Sequence, residues 1–458
     1  MTGAATPGAR VLARTPHPAP SDVARALAAA FLAADDWAPR SLIDAGAFVL
    51  GARRRWLPTL VAEVMSSLPR APRDAPRLLA TTIERAPAFA EAVRKAKERR
   101  VPIRIRHHVV SASTSREPAG ALPAIRDIAE LAVLLDLSIG HLEWFADTKQ
   151  WNRRARTGPL QLHRYEWRTR PGRIPRLLEI PGGRLRRAQR TLLHHVLALI
   201  PANDAAHGFM PGRSAVTGAA LHTASDVVIS FDLTSFFARV TAGRVYGTLR
   251  QSGFSEPVAH MITGLCTNAV PHRVLAAMPA GGGADERFAL RQALATSHLA
   301  QGAPSSPMLA NLAIRRLDSR LTGWSAAAGA TYTRYADDLA FSGGSALARR
   351  SGAFMRGVQR IVEDEGHSIN PTKTRLRRQG VRQTVTGVVV NERVNVSRAE
   401  YDRLKATLHN CNVHGPGGQN RRGVVDFRAH LLGRISWVSS LNPAKGQRLR
   451  EEFDRIRW

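Results

Sequence analysis

Between Tyr332 and Gly343 the chain reads YTRYADDLAFSG, with two adjacent aspartates, Asp337 and Asp338, between two short apolar and β-branched runs. Such runs favour strands, and a short interruption between them predicts a tight hairpin. The hairpin puts both carboxylates at the edge of a sheet, where they repel each other unless a cation neutralises them. Hard divalent cations take oxygen ligands, and Mg2+ takes one or two carboxylates together with substrate phosphates. Adjacent acids in turns are common, so a third acid sharpens the reading. VVISFDLTSFF places Asp232 at the end of a strand that otherwise reads as buried, and a buried acid needs a partner. Aspartates on neighbouring strands can together hold two Mg2+ ions that clamp the attacking and leaving oxygens of a phosphoryl transfer.

The rest of the chain points to a polyanionic partner. The formal net charge is +30 over 458 residues, and a solvated surface normally mixes both signs. Between Arg153 and Arg190 a dozen arginines face only Glu166 and Glu179, with Trp151, Tyr165 and Trp167 interleaved. That pattern fits phosphate contact. No apolar run reaches the roughly 18 residues of a membrane span. The N-terminus lacks the apolar stretch of a secretory signal, and Cys266 and Cys411 have no metal-binding spacing. A cytoplasmic protein without membrane contact is expected.

Residues 1 to about 22 read as a tail, and 22 to 100 as helices, with Ser21 an N-cap. VPIRIRHHVVSAS alternates like a short basic strand, and SREPAG looks like a linker. LAVLLDLSIGHL has the rhythm of two packed short helices or a small helix-turn-helix, and GRLRRAQRTLLHHVLALI that of an amphipathic helix with a basic face. From about 205 to 395 strand-like and helix-like runs alternate. TVTGVVVNERVNVS is a candidate hairpin with NER near its turn, and helices resume from about 397.

FDLTSFF, QGAPSSPMLANL, YADDLAFSG, INPTKTR and TVTGVVVN stand in the order of reverse transcriptase motifs, and the chain from about 125 to 458 resembles the retron-type bacterial enzymes. A long N-terminal extension resembles that of the myxobacterial members. The resemblance implies an α+β right-hand polymerase fold. Residues 121–395 would form fingers and a palm with a mainly antiparallel sheet, residues 396–458 a helical thumb, and residues 1–120 an N-terminal helical extension. It implies Asp232 and Asp337 as principal ligands of two Mg2+ ions, assisted by Asp338 and the carbonyl of Leu233. Phe237 matches the aromatic gate beneath the sugar, and Gln301 and Gly302 match the nucleotide pocket, with Ser305 or Ser306 capping the helix that follows. Arg176 matches the residue that grips the triphosphate, with Arg173 its competitor. Lys373 matches a lysine near the pyrophosphate that serves as general acid. Arg421, Arg422 and Lys445 are implied RNA contacts of the thumb. The retron pattern Asn-Ala-x-x-His is only partly kept: Gly218 stands for the asparagine, with Ala219 and His222 present, and His222 reads equally as a packing residue.

The implied activity is RNA-directed DNA polymerisation in a retron. Part of a structured non-coding RNA would be copied from deoxynucleoside triphosphates, starting at a 2′-OH, into branched multicopy single-stranded DNA, in anti-phage defence with an effector protein. A group II intron-like or diversity-generating reverse transcriptase and a non-catalytic RNA-binding scaffold are the alternatives; intact Asp232, Asp337 and Asp338 argue against the scaffold. Asp337→Asn is expected to leave the circular dichroism melt nearly unchanged and to abolish primer extension. Wild-type extension by the purified variant would refute the assignment.

Overall fold

The computed structural model describes residues 18–73, 75–107, 109, 123, 125–148, 150–152, 158 and 160–458. Most of the expected tail, the SREPAG linker and the first arginines of the basic run lie outside the described residues. The chain divides into two units.

One unit takes the described residues of Met1–Gly120 with Ala124–Leu131 and Arg250–His260. Its helices include α1 (Pro20–Ala33), α2 (Pro39–Leu50), α3 (Leu57–Ser67), α4 (Pro76–Arg85) and α5 (Pro87–Glu98). Each carries proline in its first turn, where the missing N–H has no intrahelical partner to lose and the fixed φ already suits a helix. For the same reason α1 starts before the expected cap: Pro20 takes the first turn, Ala19 is the N-cap, and the Asp22 carboxylate accepts from Ala19 N at 3.1 Å. Leu27, Leu42, Leu60, Val64, Leu79 and Ile83 are fully buried where these helices meet. Each such side chain contributes about 1.5–3 kcal/mol. The expected strand VPIRIRHHVVSAS does not form over residues 101–107, and most of its remainder lies outside the described residues. Its N–H groups at Arg106 and His107 donate to the Val49 carbonyl at the end of α2, so no strand edge lies alongside to pair with. The alternation survives: Ile103 and Ile105 pack on the core while Arg104 and Arg106 face outward.

α6 (Ile128–Leu134) and α7 (Ile139–Phe145) are the short helices of LAVLLDLSIGHL. In the second unit β1 (His163–Arg168) and β2 (Arg176–Pro181) form an antiparallel hairpin. α8 (Gly183–His195) follows, with Leu185, Ala188 and Leu192 inward and Arg184, Arg186, Arg187 and Arg190 exposed. After α9 (Ala215–Ala220) come β3 (Val227–Asp232), α10 (Phe236–Arg239), α11 (Ala242–Gln251), α12 (Glu256–Cys266), β4 (Thr267–Asn268), α13 (His272–Ala276), α14 (Ala284–Ala295) and β5 (His298–Leu299), with β4 paired to β5. α15 (Ser306–Ala313) and α16 (Arg315–Ala327) lead into β6 (Ala330–Tyr335) and β7 (Asp338–Gly343). α17 (Ser345–Asp364), β8 (Arg375–Arg378), β9 (Thr384–Val385) and β10 (Val388–Val389) come next. α18 (Arg398–His414), α19 (Phe427–Leu441) and α20 (Pro443–Asp454) make the helical end.

The central sheet is antiparallel in the order β6-β7-β3-β8. The inner strands β3 and β7 read as largely apolar runs because both of their faces are covered. Ile229 and Phe231 share one face with Leu339 and Phe341, and Phe341 meets Phe354 of α17 edge-on. Val228 and Ala340 on the other face pack into the core shared by β9, β10 and α18 to α20. The β9–β10 turn falls at Thr386–Gly387 rather than at NER, because Val385 pairs with Val388; a second loop around NER is closed by the Val389–Asn395 bridge.

His222, fully buried on that second face, joins Ser342 Oγ (2.8 Å) to Thr333 Oγ1 (2.7 Å) across β7 and β6. Burial lowers its pKa from 6.5 to about 4, as it does for His163 and His367. The unfolded chain therefore binds protons that the folded chain refuses as pH falls from 6.5 to about 4, and stability is lost through that window. In urea melts, the advantage of the wild type over His222→Asn should shrink across this window. An advantage that stays constant or grows would contradict the buried neutral histidine.

Candidate active site

Tyr335 pairs with Asp338, so the aspartate hairpin turns through only Ala336 and Asp337. Ala336 has φ +55°, a left-handed conformation that costs a residue with a Cβ about 1–2 kcal/mol. The turn is held from inside the protein. Arg334, fully buried, donates from Nη1 to the Ala336 carbonyl (3.2 Å) and to Asn311 Oδ1 (2.9 Å). Its Nε and Nη2 form a bidentate pair with Asp318 of α16 (2.8 and 2.7 Å), which also accepts from Tyr332 Oη (2.9 Å). Asn311 in turn donates to the Gly208 carbonyl (2.8 Å). Gly208 is a glycine for a reason, since a Cβ there would lie 2.7 Å from Ala336 N.

Asp232 ends β3 directly opposite Asp338 on β7, and Leu233 N donates to the Asp337 carbonyl at 2.9 Å. Three carboxylates therefore converge on one sheet edge. Burial, then the Asp232 charge, raises the Asp337 pKa. Burial, then Asp337 and Asp232, raises that of Asp338 to about 6. Lys373 Nζ offsets this repulsion from 2.6 Å off Asp232 Oδ2. It is delivered by a 3-10 turn, Pro371–Lys373, capped by the Asn370 side chain and tied to β3 through Asn370 N and the Asp232 carbonyl (2.8 Å). Among the described residues no three His, Cys, Asp or Glu side chains close on a common point as a finished metal cage. An all-oxygen set whose protonation is shifted by mutual repulsion is still the donor chemistry of a hard divalent cation, so the residues fit one.

Of the other sequence-derived residues, Arg176 acts on this edge by its charge and Phe237 is linked to it through Phe209 and Tyr335. Arg176 begins β2, exposed, and its charge acts favourably on Asp337. Arg173 lies in the loop before it. Phe236 is buried against His367, while Phe237 is half-buried beside Phe209 (centroids 6.5 Å), which in turn lies 6.2 Å from Tyr335. Gln301 and Gly302 are joined to β2 by backbone: Glu179 N donates to the Gln301 carbonyl at 2.8 Å. Gly302 has φ +126°, and a Cβ there would lie 3.1 Å from the Glu179 carbonyl. Beneath this junction the buried Glu179 carboxylate accepts from His298 Nε2 (2.9 Å) and Asn268 Nδ2 (2.7 Å). Burial opposes a charge on His298, but Glu179 outweighs it and raises the pKa. Neither Ser305 nor Ser306 caps α15: Pro307 removes a first-turn donor, and Ser306 Oγ donates to the Ala300 carbonyl instead.

The expected thumb contacts separate. Arg421 and Arg422 are exposed on the loop between α18 and α19. Lys445 is half-buried, 3.4 Å from Asn395 Oδ1 and over the Tyr401 ring, so it serves the packing of α18 on α20. Sequence reasoning missed Arg334, Glu179 and Phe209. A charged residue at an inward position of an apolar strand, as in TYTRY and RLLEIP, was the available signal for the first two; Phe209 offered none.

A family model described as reverse transcriptase (RNA-dependent DNA polymerase) matches residues 172–392. The chain is 37% identical over 330 residues to the Retron Mx65 reverse transcriptase of Myxococcus xanthus, covering 72% of this chain and 71% of that protein. It is 36% identical over 351 residues to the Retron Mx162 reverse transcriptase of the same organism, covering 72% and 67%. With the Retron Ec86 reverse transcriptase of Escherichia coli it shares 27% over 285 residues, covering 61% and 76%.

Arg334→Met leaves the Asp318 charge buried and unpaired, and is expected to lower the stability measured by urea denaturation by about 3–5 kcal/mol. Adding Asp318→Leu removes that orphan charge and should restore about half of the loss. A double variant whose loss equals the sum of the two single losses would show that the pair does not act as a unit.

Proposed function

The chain belongs to the retron reverse transcriptases and is an RNA-directed DNA polymerase, and from that premise we propose that it copies part of a structured non-coding RNA from the 2′-OH of an internal guanosine. The product is a branched, multicopy single-stranded DNA joined to its RNA, and the system acts in anti-phage defence with an effector protein. The observation that carries the polymerase chemistry is the convergence of Asp232, Asp337 and Asp338 beside Lys373.

Reverse transcriptases work with divalent metal ions; here we assign two Mg2+ ions to Asp232 and Asp337, with Asp338 and the Leu233 carbonyl assisting. When bound, they favour ionisation of the primer hydroxyl and offset charge on the triphosphate. The protein's own groups do the rest. Lys373, which neutralises Asp232 in this structure, would be released once cations were bound there, and donates a proton to the departing pyrophosphate. Arg176 grips the triphosphate of the incoming deoxynucleotide from β2. The backbone link between Glu179 and Gln301 keeps that strand in register with the Gln301–Gly302 pocket wall. Phe237, backed by Phe209, lies under the sugar and excludes a ribose 2′-OH. Arg421 and Arg422 contact the phosphates of an RNA stem, where shape dominates recognition; Lys445, engaged with Asn395 and Tyr401, is left out of that set.

The test is to purify the full chain with its bound RNA and supply Mg2+ and deoxynucleotides. The new DNA should remain joined to RNA after denaturation and be released by an enzyme that cleaves 2′–5′ linkages. A linear DNA with a free 5′ end, made at full rate, would refute the branched product while leaving the polymerase intact.

A further inference from the structure

The helical unit that precedes the polymerase motifs carries an aromatic and basic surface of its own. Phe48, in the last turn of α2, is 54% exposed, and its ring stacks on His107 with centroids 4.5 Å apart and planes 21° from parallel. A large aromatic left this open has one face covered by a ring and an edge in water. The contact is fixed by backbone, because Arg106 N and His107 N both donate to the carbonyl of Val49. The same link lays the Arg106 side chain over Gly51, its Cγ 2.6 Å from where a Cβ would stand. Gly51 opens the exposed loop that carries Arg53, Arg54 and Arg55.

The charges here are unbalanced. Arg53 pairs with Asp44 on α2. Arg54, Arg55, Arg104 and Arg106 are exposed and have no carboxylate partner among the described residues. Arg104 and Arg106 point the same way because Ile103 and Ile105 between and before them are held on the core. Two residues along an extended chain span roughly 6.6 Å, so the two guanidiniums form a short rail rather than a cluster. Cations also suit the C-terminal end of α2, but that effect fades within the last turn and explains neither Arg104 nor the open ring pair.

We propose that this surface binds single-stranded DNA, the strand that the enzyme itself makes. A stacked ring pair offers a base a flat platform only if the base is unpaired, and the four arginines that have no carboxylate partner among the described residues track the phosphates beside it. A duplex would meet the arginines but leave the rings idle. The inference rests on the polymerase activity alone and not on the branched product or on defence.

The experiment uses the full chain with its polymerase site filled by a primer–template duplex. The binding of a fluorescent oligothymidylate of about 20 nucleotides is followed by anisotropy. Phe48→Ala with His107→Ala should weaken it about tenfold, and Arg104→Glu with Arg106→Glu should weaken it further and reduce the salt slope by about one to two. Primer extension on a short template should stay at the parental rate, and the melting curve of each variant should match the parent. Unchanged affinity in both variants would overturn the proposal, as would an equal loss for duplex DNA in the ring variant. Tighter retention on phosphatidylserine vesicles than on the oligonucleotide would assign the surface to a membrane instead.

Discussion

The structure depends on one register. β3 and β7 run antiparallel with Asp232 facing Asp338, and the two-residue turn before β7 adds Asp337. A slip of one residue would send these side chains to the other face of the sheet and bury the wrong set of apolar residues. Like charges are thus held together by apolar burial on both sides of the sheet, where Ile229, Phe231, Leu339 and Phe341 hold one face and Val228 and Ala340 the other. Burial first, and then the repulsion, raises the pKa values of Asp337 and Asp338, and an all-oxygen set of this kind suits a hard divalent cation.

Behind the acidic rim lies a charge pair of the opposite kind. Arg334 and Asp318 are both fully buried and satisfy each other, with Tyr332, Asn311 and the Ala336 carbonyl using the remaining polar valences. A buried pair of this sort adds little net stability over an apolar replacement. What it does here is geometric, because the guanidinium fixes the carbonyl of a strained turn residue next to Asp337. The same logic recurs at β2, where the Glu179 carboxylate, His298 and Asn268 lie under the backbone link to Gln301. In both places buried polar groups fix the backbone of residues to which the proposed function gives a role.

Much of this was legible in the chain. The aspartate hairpin, the strand ending in Asp232, the helical N-terminal region and the helical end follow from periodicity, turn chemistry and charge, all local properties. The errors have local causes too. VPIRIRHH has the alternation of a strand but found a helix end rather than a strand edge, and a strand exists only with a partner. TVTGVVVNERVNVS does close a loop around NER through the Val389–Asn395 bridge, and the tighter turn between Val385 and Val388 is the one that its expected single hairpin left out. The packing of Lys445 against Asn395 and Tyr401, some fifty residues upstream in the chain, was not legible locally either.

The sequence by itself determined the chemistry: which acids, which lysine and which basic surfaces the protein has, and the short-range geometry that puts Asp337 and Asp338 in one turn. Tertiary structure alone decided which of these groups meet. Lys373 lies 141 positions from Asp232, and Arg334 is matched to an aspartate on a separate helix. Phe209 joins Phe237 only through the folded backbone. Periodicity in a chain reports which face a residue takes, because that is set by its neighbours. Which other face it meets is set by packing over the whole domain, and no local pattern encodes it.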